Sequence, residues 1–115
     1  MDAILKKLQF RDGDSLDIIN EPPGLELAPA QGDSGRRIVL VFVADKKQLS
    51  RYTPKKIASD ALLWIAYPKG SSKVATDLNR DLLWREMDKR GFTGVSLVAI
   101  DDTWSAMRFK PQAKP

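Results

Sequence analysis

Two stretches of the chain are apolar almost without interruption, and both are short. Residues 37–45 read RIVLVFVAD, and residues 61–68 read ALLWIAYP. Runs of this length, rich in β-branched and apolar residues, predict strands buried on both faces, as at the centre of a parallel sheet. Weaker patterns flank them. Residues 15–20, SLDIIN, have strand composition and stop at Glu21-Pro22-Pro23-Gly24, where the prolines cannot donate to a ladder. The preceding RDGD, residues 11–14, predicts a turn in which Gly13 is free to take positive φ. Residues 3–10, AILKKLQF, are ambiguous: Ile4, Leu5 and Leu8 fit a helical turn, whereas Leu8 and Phe10 fit an extended edge. Residues 25–35 predict a turn-rich or weakly helical connection followed by a loop.

Helical periodicity lies between and after the two strong strands. Residues 46–60 are charged, with a partial apolar face from Leu49, Tyr52, Ile57 and Ala58, and Pro54 should divide them into two short helical pieces. Residues 76–91, TDLNRDLLWREMDKRG, form the best helical pattern. Leu78, Leu82, Leu83 and Met87 recur near helical spacing, Thr76 or Asp77 can cap the start, and Gly91 stands at C′. Asp81–Arg85 and Glu86–Arg90 are i,i+4 ion pairs in the favoured direction. Residues 94–110 then predict two strands joined by a turn at Asp101–Asp102–Thr103. Residues 1–110 read as one domain, and residues 111–115 as a mobile tail.

Alternating strands and helices imply a mainly parallel sheet with right-handed crossovers, and the tight final connection forces one antiparallel pair. The expected fold is a three-layer α/β domain of about five strands with a C-terminal antiparallel hairpin. By analogy with the C-terminal half of a Rossmann-type methyltransferase sheet, the strand order is 1-2-3-5-4. The analogy concerns fold and carries no activity.

Composition narrows the chemistry more than it suggests any. The 115 residues contain no cysteine and no histidine. Thiolate nucleophiles, zinc–thiolate sites, Cys-ligated clusters and the commonest general base and metal ligand are therefore absent. No catalytic residue, metal or cofactor is expected. No apolar run approaches the roughly 20 residues of a membrane helix. The start, MDAILKKLQF, lacks a basic n-region and a continuous h-region. A cytoplasmic protein with no membrane partner is expected. The net charge of +4 is uneven: residues 1–35 carry three basic and seven acidic side chains, whereas residues 36–115 carry sixteen basic and eight acidic. A basic C-terminal part could attract nucleic acid or anionic metabolites, but like-charge runs never exceed two, so a solvated surface is the preferred reading.

Four places invite a functional reading. Glu21–Gly24 follows the first strand where a nucleotide-binding protein carries a glycine-rich loop, yet it holds one glycine and two prolines, and neither G-x-G-x-x-G nor a P-loop occurs in the chain. A structural turn is preferred there. Lys69, Gly70, Ser71, Ser72 and Lys73 follow a buried strand and should lie at the carboxyl end of the sheet, where open α/β sheets bind ligands. Their ammonium groups, hydroxyls and amides could hold an anion, although Asp77 should already occupy the positive helix end. A Ser–Lys dyad in this loop is disfavoured.

Alternation in TWSAMRF puts Trp104, Ala106 and Arg108 on one face and Ser105, Met107 and Phe109 on the other. Arg108 could bind an anion near the sheet end; the preferred alternative has Trp104 in the core and Arg108 paired with Asp101 or Asp102. Trp84, in the charged helix, could mark a partner surface such as a homodimer contact.

The segments LLWIAYPKGSSKVATDLNRD, RGF and AIDDTWSAMRF together resemble an uncharacterised bacterial family, domain of unknown function 3052, or a sister family of the same design. The resemblance covers roughly residues 36–110 and puts Lys69, Trp104, Ser105 and Arg108 on motif positions. It implies no activity. The function expected from the sequence is a non-enzymatic small-ligand or protein-interaction domain, monomeric or homodimeric. Lys69, Ser71, Ser72, Lys73 and Arg108 are the candidate ligand contacts. An anion- or nucleotide-binding protein and a nucleic-acid-associated protein remain as alternatives.

Overall fold

A computed structural model describes residues 3–25, 27–54, 61–70 and 76–112. Among these residues the elements run α1 (Ala3–Lys7), β1 (Ser15–Ile19), β2 (Arg37–Phe42), α2 (Lys46–Tyr52), β3 (Leu62–Pro68), α3 (Arg80–Lys89), β4 (Phe92–Ala99) and β5 (Trp104–Pro111). The strands form one sheet in the order β1-β2-β3-β5-β4. β1, β2 and β3 pair in parallel; β5 runs antiparallel to both β3 and β4. The expected strand order and final hairpin are therefore present.

The two continuous apolar runs are central strands, as their composition requires. Alternate residues feed two cores. Val39, Val41, Leu63, Ile65 and Tyr67 point with Met107 and Phe109 to the face covered by Leu49 of α2 and by Leu83 and Met87 of α3. Ile38, Leu40, Phe42, Trp64, Ala66 and Ala106 point to the opposite face, covered by Leu8 and Leu27. The alternation expected for TWSAMRF follows the same division. Trp104 meets Phe42 edge to face, with centroids 5.2 Å apart. The Trp64 indole N–H donates to Leu8 O at 3.2 Å, which anchors the chain after α1 to the centre of the sheet.

The ambiguous N-terminal segment is helical, because Leu8 and its neighbours have an apolar sheet face to cover. Residues 25 and 27–35 form no helix. Instead Leu16 and Ala30 exchange two backbone hydrogen bonds, so this connection lies along the outer edge of β1. The second helical piece expected after Pro54 falls on residues outside those described. Pro111 still pairs with Phe92, and Gln112 N donates to Gly91 O at 2.8 Å, so the attached chain extends beyond residue 110. Residues 113–115 lie outside the described set.

The start of α3 differs from expectation. Asn79, in extended conformation, is the N-cap, and its side chain accepts from Leu82 N at 2.9 Å. Thr76 donates to Ala44 O and accepts from Leu78 N. Asp77 accepts from Lys46 N at 2.8 Å, alongside the Asp45 carboxylate that caps α2 through Gln48 N. Both expected caps thus brace the segment before α3 against the start of α2. Competing acceptors satisfy the same kind of orphan amide, and composition does not say which helix each one serves. At the other end Gly91 has φ +87° and closes the helix as expected. Glu86 and Arg90 pair at 3.7 Å, whereas Asp81 meets Arg80 at 3.9 Å rather than Arg85.

Candidate functional site

Among the described residues, the carboxyl end of the sheet is filled on one side and holds a cleft on the other. Between β1 and β2, Asn20 donates to Phe42 O and to Gln48 Oε1, and Gln48 also accepts from Ala44 N. Glu21 accepts from Leu27 N, and Gly24 takes φ +93°, so the Glu21–Gly24 segment is a hydrogen-bonded turn. The opening lies beyond β3. There Tyr67, Lys69, Gly70, Asn79, Arg80 and Leu97 help line a cleft of about 440 Å³. Lys69 N donates to Thr103 O at 2.8 Å, which ties this corner to the β4–β5 turn. That turn is held by Asp101, whose carboxylate accepts from Thr103 N and Trp104 N.

A second depression of about 330 Å³ adjoins the first, sharing Arg80, Asp81 and Leu97 and continuing to Trp84, Gly94 and Met107. Together they make one groove between α3 and the outer strand β4. Gly94 shapes its floor: a Cβ there would stand 2.9 Å from Met107 Sδ and 3.6 Å from Trp84 Cδ1. The glycine therefore lets the indole lie down over β4. The column Arg80, Trp84, Asp88 runs along the groove side of α3, while Glu86 and Arg90 line its other flank, where Arg90 donates to Ser50 of α2.

Electrostatics in the groove are mixed. Burial pushes the Tyr67 phenol above its ordinary value; the Arg80 charge partly opposes this, and Asp81 adds to it. Tyr67 is thus a neutral hydroxyl at physiological pH. On the far flank, the hydrogen bond from Lys89 holds the Glu86 carboxyl below its usual range.

The sequence-derived candidates separate. Lys69 lies in the cleft. Ser71, Ser72 and Lys73 fall outside the described residues. Arg108 is elsewhere. It stands opposite Trp64 and Ser96, on the face of the second core, and donates to Gln9 Oε1 at 2.6 Å. It is four positions along β5 from Trp104, or roughly 13 Å from the cleft end of the strand. Among the described residues no ion pair joins it to Asp101 or Asp102. Hence Arg108 ties the turn after α1 to the sheet and lies away from Lys69.

The apolar surface tells more. Among the described residues the exposed large hydrophobic side chains are Trp84 at 51%, Leu97 at 43% and Val95 at 40%. All three lie at the β4 edge. Trp84 stood out in the sequence as a large aromatic side chain in the apolar-rich stretch of the helix, a candidate partner surface if exposed. Val95, Leu97 and Arg80 did not: the expected order puts this strand outermost, but its composition does not show which of its apolar side chains stay uncovered. Compared with protein-family models and with curated proteins, the sequence finds no match.

Proposed function

We propose that this protein is a non-enzymatic protein-interaction domain that meets its partner along β4 and the adjoining face of α3. The observation that carries this reading is the gathering of Trp84, Val95 and Leu97 at one sheet edge. An exposed edge strand offers unpaired backbone groups to an added strand, and flanking apolar side chains supply the area that anchors it. The two edges of this sheet differ. β1 is covered by the antiparallel bridge to Ala30 and carries the Asp17–Arg37 pair. β4 reads FTGVSLVA, without a charge or a proline. Natural sheets usually blunt a free edge with such residues. Here the bulge at Val95, between the Gly94 and Ser96 rungs, is the one such feature in the strand.

The strand order, the parallel β1–β3 and the missing glycine-rich loop also support reading the domain as a truncated Rossmann-methyltransferase-like sheet. That kinship, like the resemblance to domain of unknown function 3052, is part of the proposal.

The absence of cysteine supplies a clean test. A single Leu97→Cys variant and a single Asp17→Cys variant have no background thiol. In intact source cells, maleimide labelling at position 97 is expected to be about fivefold slower or more than in dilute purified protein, since a bound strand excludes the reagent. Labelling at position 17 should not change. Equal labelling of position 97 in both settings contradicts the reading.

A further inference from the structure

We infer that the partner of this edge is a second copy of the same chain, joined by antiparallel β4–β4 pairing about a twofold axis. The inference rests on the interaction-domain reading above and names its occupant. A twofold interface must be self-complementary: each residue meets the symmetry mate of its counterpart. Three independent features of this edge meet that condition at one level.

The first is the strand. Among the described residues nothing hydrogen-bonds to the backbone of residues 93–98 from outside the β4–β5 ladder. The ends are occupied: Lys7 Nζ donates to Ala99 O, and Gln112 to Phe92 O. The open stretch is centred on Val95–Ser96. An antiparallel copy centred there sets Gly94 against Leu97 and Thr93 against Val98, with no charge brought to the seam.

The second is the helix. Trp84 lies over Gly94 and lines the same depression as Ser96, so it stands at the level of that axis. In the continuous sheet, α3 and its mate run antiparallel and Trp84 faces Trp84. Two exposed indoles and two Leu97 side chains then cover one another, which is the kind of aromatic centre that interfaces favour.

The third is charge. Arg80 and Asp88 are equidistant from Trp84 along α3 and share its column. Arg80 lines the groove beside Leu97, and Asp88 reaches Phe92's end of the strand through the Gln112 amide. A twofold axis at the level of Trp84 sets Arg80 of each copy beside Asp88 of the other. The helix is thus charge-complementary to its own reverse, twice over, around an apolar centre. A foreign partner would not require this symmetry.

Light scattering after size exclusion, over about 5–500 µM, tests the inference in a range that brackets a weak dimer. The expected mass is twice the 12.9 kDa of one chain at the upper end. Leu97→Lys should stay monomeric throughout while keeping the native circular dichroism spectrum, because the residue is exposed. Arg80→Asp and Asp88→Arg alone should each weaken association about tenfold, since every single reversal sets two like-charge pairs at the seam. The double variant R80D/D88R should return to within about twofold of the wild type, because the reversed pairs attract again. A wild-type monomer at every concentration overturns the inference, as does a dimer that the reversals leave unchanged. Neither outcome touches the cysteine-protection result in cells, which decides the interaction reading by itself.

Discussion

Trp64→Ala should lower the unfolding free energy by about 3–5 kcal/mol, the range for removing a large buried aromatic side chain. Trp64 is 1% exposed and lies in the middle of β3, between Leu40 on β2 and Arg108 on β5. Its ring fills the second core among Leu8, Leu16 and Ile38, and its N–H holds Leu8 O. Truncation therefore opens a cavity and leaves a carbonyl without its donor. A domain of this size has about 5–15 kcal/mol to lose, so the variant should unfold at a much lower urea concentration or fail to fold. Trp64→Phe separates the two contributions. It keeps most of the apolar area and should cost about 1–2 kcal/mol, chiefly the unpaired Leu8 carbonyl. Circular dichroism in urea measures both. A Trp64→Ala variant within about 1 kcal/mol of wild type would show that α1 is not anchored as described.

Gly32→Ala should cost about 2–3 kcal/mol, the usual range for forcing extra volume into a packed position. A Cβ on Gly32 falls inside the van der Waals envelopes of Gly13 O and C and crowds Asp14 O. These are backbone atoms, so no side-chain rotation relieves the clash. The neighbours are tied as well. Ser34 N donates to Gly13 O, Gly32 N donates to Ser15 Oγ, and Asp14 accepts from Arg11 N while lying 3.7 Å from Arg36. Moving Gly32 pulls on the bridge between Ala30 and Leu16 that covers the edge of β1. By contrast Gly70→Ala should change the unfolding midpoint little, because a Cβ there meets nothing within 4 Å among the described residues. Urea unfolding of the two variants side by side checks the contrast; equal midpoints would contradict it.

How much of this could be read from the sequence depended on how local the cause was. Strands β2 and β3 were legible because burial on both faces leaves a continuous apolar run. Gly13 and Gly91 were legible because a positive φ is a local demand. Connection lengths and one tight turn gave the parallel strands and the final antiparallel pair, whereas the order 1-2-3-5-4 came only from the analogy with a Rossmann-type methyltransferase sheet. The cap of α3 was not legible: Thr76, Asp77 and Asn79 are all competent acceptors, and only the meeting of two segments assigns the first two to the β2–α2 junction. Arg108 was misplaced for the same reason. Alternation gave its face correctly, but its partner Gln9 is 99 positions away. The edge site was half visible. Trp84 announced itself, whereas Val95 and Leu97 look like core residues in any strand that is covered on its far side.

On the reading proposed above, β4 and α3, rather than the basic loop at Lys69, are where this protein meets another. A photoreactive phenylalanine analogue placed at position 97, and separately at position 17 on the opposite edge, measures this most directly in the source cells. Ultraviolet light should give discrete higher-mass adducts from position 97 and none from position 17, with an adduct of about twice the chain mass if the partner is a second copy. Adducts from position 17 alone, or from neither position, would contradict the claim.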